Sequence, residues 1–151
     1  MVKQIELAFP RLKGAEWSVT SKPDDLYNCI AWAADQTTNW WWPVGSDETH
    51  WPEGVPRVVT LEAFREVFAT LGYVLCAGDE LEPGFNKIAV FANDQGVPKH
   101  AARQLASGRW TSKLGKMEDI EHALHDLSGT EYGSVALIMK RPVVTSPGAR
   151  E

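Results

Sequence analysis

Five short apolar runs broken by turn-forming residues constrain this chain more than any other feature: GYVLCAG, NKIAVFAN, HAARQL, RWTSK and SVALIMKRP. With a DQGVPK turn and a Ser107-Gly108 turn between them, they predict an antiparallel sheet. Two helical patterns flank these runs. TLEAFREVFATLG sets Leu61, Phe64, Val67, Phe68 and Leu71 on one face, with Thr60 as cap and Gly72 as stop. KMEDIEHALHDLSG sets Met117, Ile120, Leu124 and Leu127 at helical spacing and predicts a second helix ending at Gly129. In that helix Glu118, Asp119, His122 and His125 fall toward the polar side. A shorter helix is predicted behind Asn28, with Ile30, Ala33 and Ala34 turned inward. The order of helices, strands, helix and strand predicts an α+β domain rather than an alternating parallel one.

At 151 residues the chain suits one hydrophobic core, so a single domain over 1–151 is expected, with its core at about 17–142. The end, TSPGARE, is small, polar and Pro/Gly-bearing, and a frayed tail is expected over 143–151. A net charge of -5 offers no basic stripe for a phosphate backbone, which argues against nucleic acid as a partner. MVKQIELAFPRLKG interrupts its apolar residues with charges and a proline, unlike a signal peptide or a membrane span. A cytoplasmic location with two free thiols, Cys29 and Cys76, is the expectation. Cys76, in an apolar strand-like run, reads as a small core residue.

Cys29 has the placement of a nucleophile. In the first turn of a helix, free amide hydrogens favour thiolate over thiol, and the thiolate is the species that attacks carbonyls. Such a sulfur needs a base near it in space. His100 opens HAARQL at a strand start beside a turn, a position both rigid and partly open, and is the preferred partner. His50 lies in a long Trp/Pro loop predicted over 43–56, and His122 and His125 suit a solvated helix face. Those two could join Cys29 or Asp126 around a metal, but no ligand frame of known spacing is present, so neither metal nor cofactor is expected. The oxyanion donors expected are the Cys29 amide with Asn28 or Tyr27, although Asn28 has difficulty capping the helix and serving the oxyanion together.

A cysteine at a helix start, a later strand opening with histidine and a polar residue on the next strand resemble the papain-like fold, in its NlpC-type branch of small cysteine peptidases and amidases. The resemblance implies a thiolate and imidazolium pair with a third polar side chain orienting the histidine, and Ser112 holds the matching position. Serine departs from the histidine, asparagine or glutamine usual there, and Thr111, Lys113 or Glu118 are substitutes to consider. The words YNCIAWAA, WWWP, LEAF, LGY, LEPGF, HAARQL, GRWTSKLG, EDIEH and YG are similar, in the same order, to those of a family of small bacterial proteins, over about 17–142. The papain-like resemblance implies an amide- or ester-cleaving hydrolase working through an acyl-enzyme. Its substrate would be a peptide, a cell-wall fragment or a protein, and toxins or effectors share that build.

Trp40, Trp41 and Trp42 cannot all face one core, since neither helical nor strand periodicity aligns three consecutive side chains. With Trp51 they read either as an aromatic wall for substrate or as a cap on the core. The wall also supports an alternative function, a catalytically inactive binding module that uses the tryptophans as its contact surface. Arg103, Arg109, Lys113 and Lys116 make a basic group that reads as a solvated sheet edge or as a carboxylate-recognition patch.

Overall fold

The structure is a computed structural model that describes residues 2–45 and 49–143. The chain runs through helix α1 (Val2–Ala8), a 3-10 turn (Pro10–Leu12), strand β1 (Ser18–Val19), and helices α2 (Cys29–Ala33) and α3 (Leu61–Ala69). Strands β2 (Val74–Cys76), β3 (Phe85–Ala92), β4 (Pro98–Gln104), β5 (Trp110–Lys113) and β6 (Asp119–His122) follow. A second 3-10 turn (Leu124–Leu127) then leads to β7 (Ser134–Pro142). All seven strands join one antiparallel sheet in the order β1-β6-β5-β4-β3-β7-β2.

This architecture corrects the expected papain-like α+β fold with N-terminal helices. Among the described residues the longest helix has nine residues, and the sheet dominates. Much of the difference comes from 116–129. Its apolar residues are spaced for a helix, yet Lys113 pairs with Asp119 and Trp110 with His122 across a hairpin, and only Leu124–Leu127 coil, as a 3-10 turn. That hairpin buries Glu118, Asp119 and His122 and leaves Met117 49 % exposed, against expectation, while Ile120, Leu124 and Leu127 are buried as the spacing predicts. The runs assigned to strands β2, β3, β4, β5 and β7 do form them, because their patterns are local.

Each face of the sheet is covered. Ile88, Val90, Ala101 and Met139 face α2 and α3, along with Trp41 and Trp51. Ala89, Phe91, Ala102, Trp110 and Ile120 face Ile5, Phe9 and Leu12 of the N-terminal segment and Leu124 and Leu127 of the second 3-10 turn. The successive residues of β3 therefore alternate between two apolar layers, and from Lys87 to Ala92 all are buried. In α3 the Thr60 side chain caps the Ala63 amide at 3.1 Å, and Gly72, at φ 94°, turns the chain out of the helix.

Cys76 lies half-buried on the edge strand β2 rather than in the core. Residues 46–48 of the expected long loop and 144–151 of the expected frayed tail lie outside the described residues. Among the described residues no helix is long and apolar enough to cross a membrane.

Candidate functional site

The cysteine stands where its local sequence dictates. Asn28 Oδ1 accepts the Ala31 amide at 3.2 Å and caps α2, and it also accepts the Trp41 amide at 3.0 Å. Asn28 Nδ2 donates to the Trp41 carbonyl at 2.7 Å, so one side chain fixes both the helix start and the tryptophan segment. Asn28 therefore does cap the helix, and one of its two Nδ2 hydrogens is already given to Trp41. Tyr27 is likewise engaged: its hydroxyl donates to Asp119 Oδ2 at 3.0 Å, and burial together with Asp119 raises the phenol to about 12.

Cys29 itself is 7 % exposed. The nearby backbone of Ala101, Ile30 and Cys29 and the positive charge of Lys113 all favour thiolate. Burial opposes them and prevails, pushing the thiol up to about 11. Lys113 is not part of a solvated edge, as the sequence suggests, but is fully buried. Its Nζ donates to the carbonyls of Asp24 at 2.5 Å and Gly115 at 2.6 Å and lies 4.9 Å from the Tyr27 ring centroid. Burial lowers its pKa, and burial raises that of Asp119, its cross-strand partner.

The histidine belongs to a buried polar chain across three strands. His100 Nε2 and Ser112 Oγ are 2.8 Å apart, Ser112 Oγ and His122 Nε2 are 2.8 Å apart, and His122 Nδ1 lies 2.7 Å from the Ala123 carbonyl. Burial holds both imidazoles below their ordinary value, His122 at about 4 and His100 further lowered by His122, so both are neutral at pH 7. The proton positions then follow from the network. A carbonyl only accepts, so His122 carries its proton on Nδ1 and accepts the Ser112 hydroxyl at Nε2. Ser112 Oγ in turn accepts from His100 Nε2–H. His100 Nδ1 is left as a bare, basic nitrogen, and it is buried with no hydrogen-bond partner. Tyr132 stacks on this ring at 4.0 Å with an interplanar angle of 3°, and Phe91 meets it edge-on at 5.3 Å.

The structure thus joins His100 to Ser112 as the sequence suggests, and adds His122, which the sequence places on a solvated helix. No hydrogen bond joins Cys29 to His100. They share two neighbours: the backbone of Ala101, next in sequence to His100, favours the Cys29 thiolate, and Tyr132, stacked on the imidazole, is raised in pKa by burial and then by Cys29. Cys29 packs with Ala101 in the layer of α2 and α3, whereas His100, the preceding residue of β4, lies against Phe91 and Tyr132 in the other layer, so sulfur and imidazole occupy opposite faces of the sheet. The ten-residue separation of Ser112 and His122 around the Leu114–Gly115 turn is the sequence signal for the missed histidine. Tyr132 arrives through a loop bracketed by Gly129 and Gly133, for which no signal exists.

The aromatic wall is largely core. Trp41 and Trp51 are buried, and Trp40 and Trp42 are half-buried, with Trp42 and Trp51 packed on Phe64 at 5.4 and 5.3 Å. Arg103 stacks on Trp32, and Arg109 pairs with Glu121 at 3.0 Å. His50 is exposed beside Trp41, and His125 lies 3.3 Å from Asp79 at the surface. Among the described residues no three His, Cys, Asp or Glu side chains are grouped to hold a metal ion. A groove of about 710 Å³ between Leu81–Asn86 and Gln104–Ala106 shares no residue with this site. Another, of about 700 Å³, has Tyr132 in its wall.

Together these features describe a seven-stranded antiparallel domain with a buried cysteine under one face of the sheet and a buried His-Ser-His chain under the other. The chain belongs to the family described as a domain of unknown function, DUF7689, which it matches over residues 18–140. No curated protein and no solved structure matches it.

Proposed function

We propose that the protein is a cysteine hydrolase that cleaves an amide or ester through an acyl-enzyme, with Cys29 as nucleophile and His100 as base. The observation that carries this reading is His100 Nδ1, a neutral nitrogen with its lone pair free while Ser112 and His122 fix the proton on the opposite side of the ring. A buried polar atom without a partner is costly and rare, and a reacting proton would occupy it during turnover. The backbone of Ala101, Ile30 and Cys29 supplies the second half, since it favours a sulfur anion.

In the reaction the Cys29 sulfur bonds to the substrate carbonyl carbon as its proton passes to His100 Nδ1. The resulting imidazolium returns that proton to the leaving amine or alcohol, giving a thioester. Water, deprotonated by His100, then releases the acid and restores the thiol. Thiol and imidazole both rest neutral, so the proton moves during attack rather than before it. Cys29 and His100 rest on opposite faces of the sheet, so this reading requires the pair to close in the substrate complex.

Acyl trapping tests this directly. Incubation with p-nitrophenyl acetate should give a burst of nitrophenol and an acetyl group on Cys29 rather than Cys76 by mass spectrometry. His100→Asn, which retains a donor for Ser112, should slow acylation by about a hundredfold or more, the scale of general-base catalysis, with the circular dichroism spectrum unchanged. Acetyl on neither cysteine, or equal rates in both proteins, removes the hydrolase reading.

A further inference from the structure

Glu118 is a carboxylate in an apolar place. It follows the Leu114–Gly115 turn between β5 and β6, is 1 % exposed, and its Oε1 is buried with no hydrogen-bond partner. It lines the groove of about 700 Å³ whose other walls include Ile5, Phe9, Leu114, Met117 and Tyr132. An acceptor left unpaired in such surroundings is destabilising, the more so when charged, unless a donor arrives from outside. Glu131 adds a second acidic side chain to the same groove, which has no lysine or arginine in its lining.

We infer that this groove is a binding site for a cationic group, an ammonium, carried on an apolar stem. The stem replaces water against Ile5, Phe9, Leu114 and Met117, and the N–H donors reach Glu118 Oε1. Apolar walls with one placed polar group are the usual build of a small-ligand site. Tyr132 stands in the wall of this groove and stacks on His100, so the ligand lies one ring away from the proposed base. On the hydrolase reading, on which this placement alone rests, the occupant is part of the substrate. Two sources carry the chemistry, a free alkylamine and a lysine side chain of a peptide.

Binding is tested in Cys29→Ala, so that a failure of the proposed chemistry leaves the readout untouched. Octylammonium should bind at least about tenfold more tightly than 1-octanol by calorimetry, as expected for a charge-assisted hydrogen bond in an apolar site. Acetyl-Gly-Lys-Gly-amide should exceed its norleucine counterpart in the same sense. Preference within both pairs, or within one, supports the site and identifies its source. Glu118→Gln should abolish the preference while retaining the shape of the groove. Met117→Lys, at an exposed rim residue, should weaken octylammonium binding by setting a tethered ammonium beside the carboxylate. Equal affinity within both pairs for the unsubstituted groove overturns the proposal, whatever the variants do.

Discussion

A single hydroxyl decides the state of two imidazoles. Ser112 has one proton to donate, it goes to His122, and His100 must therefore donate to Ser112. Ser112→Ala leaves both Nε2 atoms without their partner, and a loss of about 1–3 kcal/mol for each buried group is expected, read as a lower urea midpoint with an unchanged slope. If Ser112 only fills space, the cost will be far smaller and acylation of Cys29 will be unaffected. Residue by residue, a cap residue and a turn drew attention to Cys29 and His100, while Ser112 came only through the papain-like resemblance. Lys113 and His122 stayed hidden because their burial depends on partners brought by other elements. A lysine whose ammonium is held by two backbone carbonyls looks, in sequence, like any edge lysine.

At the scale of elements, α2 spans only Cys29–Ala33, too short to persist on its own, and its start is fixed by Asn28. The same side chain bonds both backbone groups of Trp41. Asn28→Ala should cost at least about 2 kcal/mol, the lost cap adding to the two unpaired buried groups. Asn28→Ser, which can still cap, should recover about 1 kcal/mol of it. Equal midpoints for the two variants in urea would show that the cap contributes nothing. The strands were legible wherever alternation or an apolar run between turns is local, as in NKIAVFAN and SVALIMKRP. Strand β6 was not, since Asp119, Ile120 and His122 are all buried and alternation disappears. What remained was a chance spacing of Met117, Ile120, Leu124 and Leu127 that also fits a helix, and only pairing with β5 decides between the two.

For the molecule as a whole, two neutral buried histidines make stability depend on pH with a definite sign. His122 has a folded value of about 4, below its ordinary 6.5, so between those values the unfolded chain binds a proton that the folded chain does not. Stability should therefore fall as pH drops from 6.5 toward 4, by about 1.4 kcal/mol per unit for each such histidine within its window. Asp119, raised by burial, works in the opposite direction at lower pH, so the histidine share is best taken as a difference. Unfolding of the unsubstituted protein and of His122→Asn between pH 7 and 4 checks this; parallel curves would mean that His122 is protonated in the fold. The carbonyl of Ala123 has a longer reach than its own bond. Because an oxygen there has no hydrogen to lend, reversing the polarity of the three-link chain would set two lone pairs against each other at 2.7 Å. The orientation of hydrogens at His100 is thus inherited from main chain just past β6, two strands away, and slippage of that hairpin by one position would erase it without altering His100 itself.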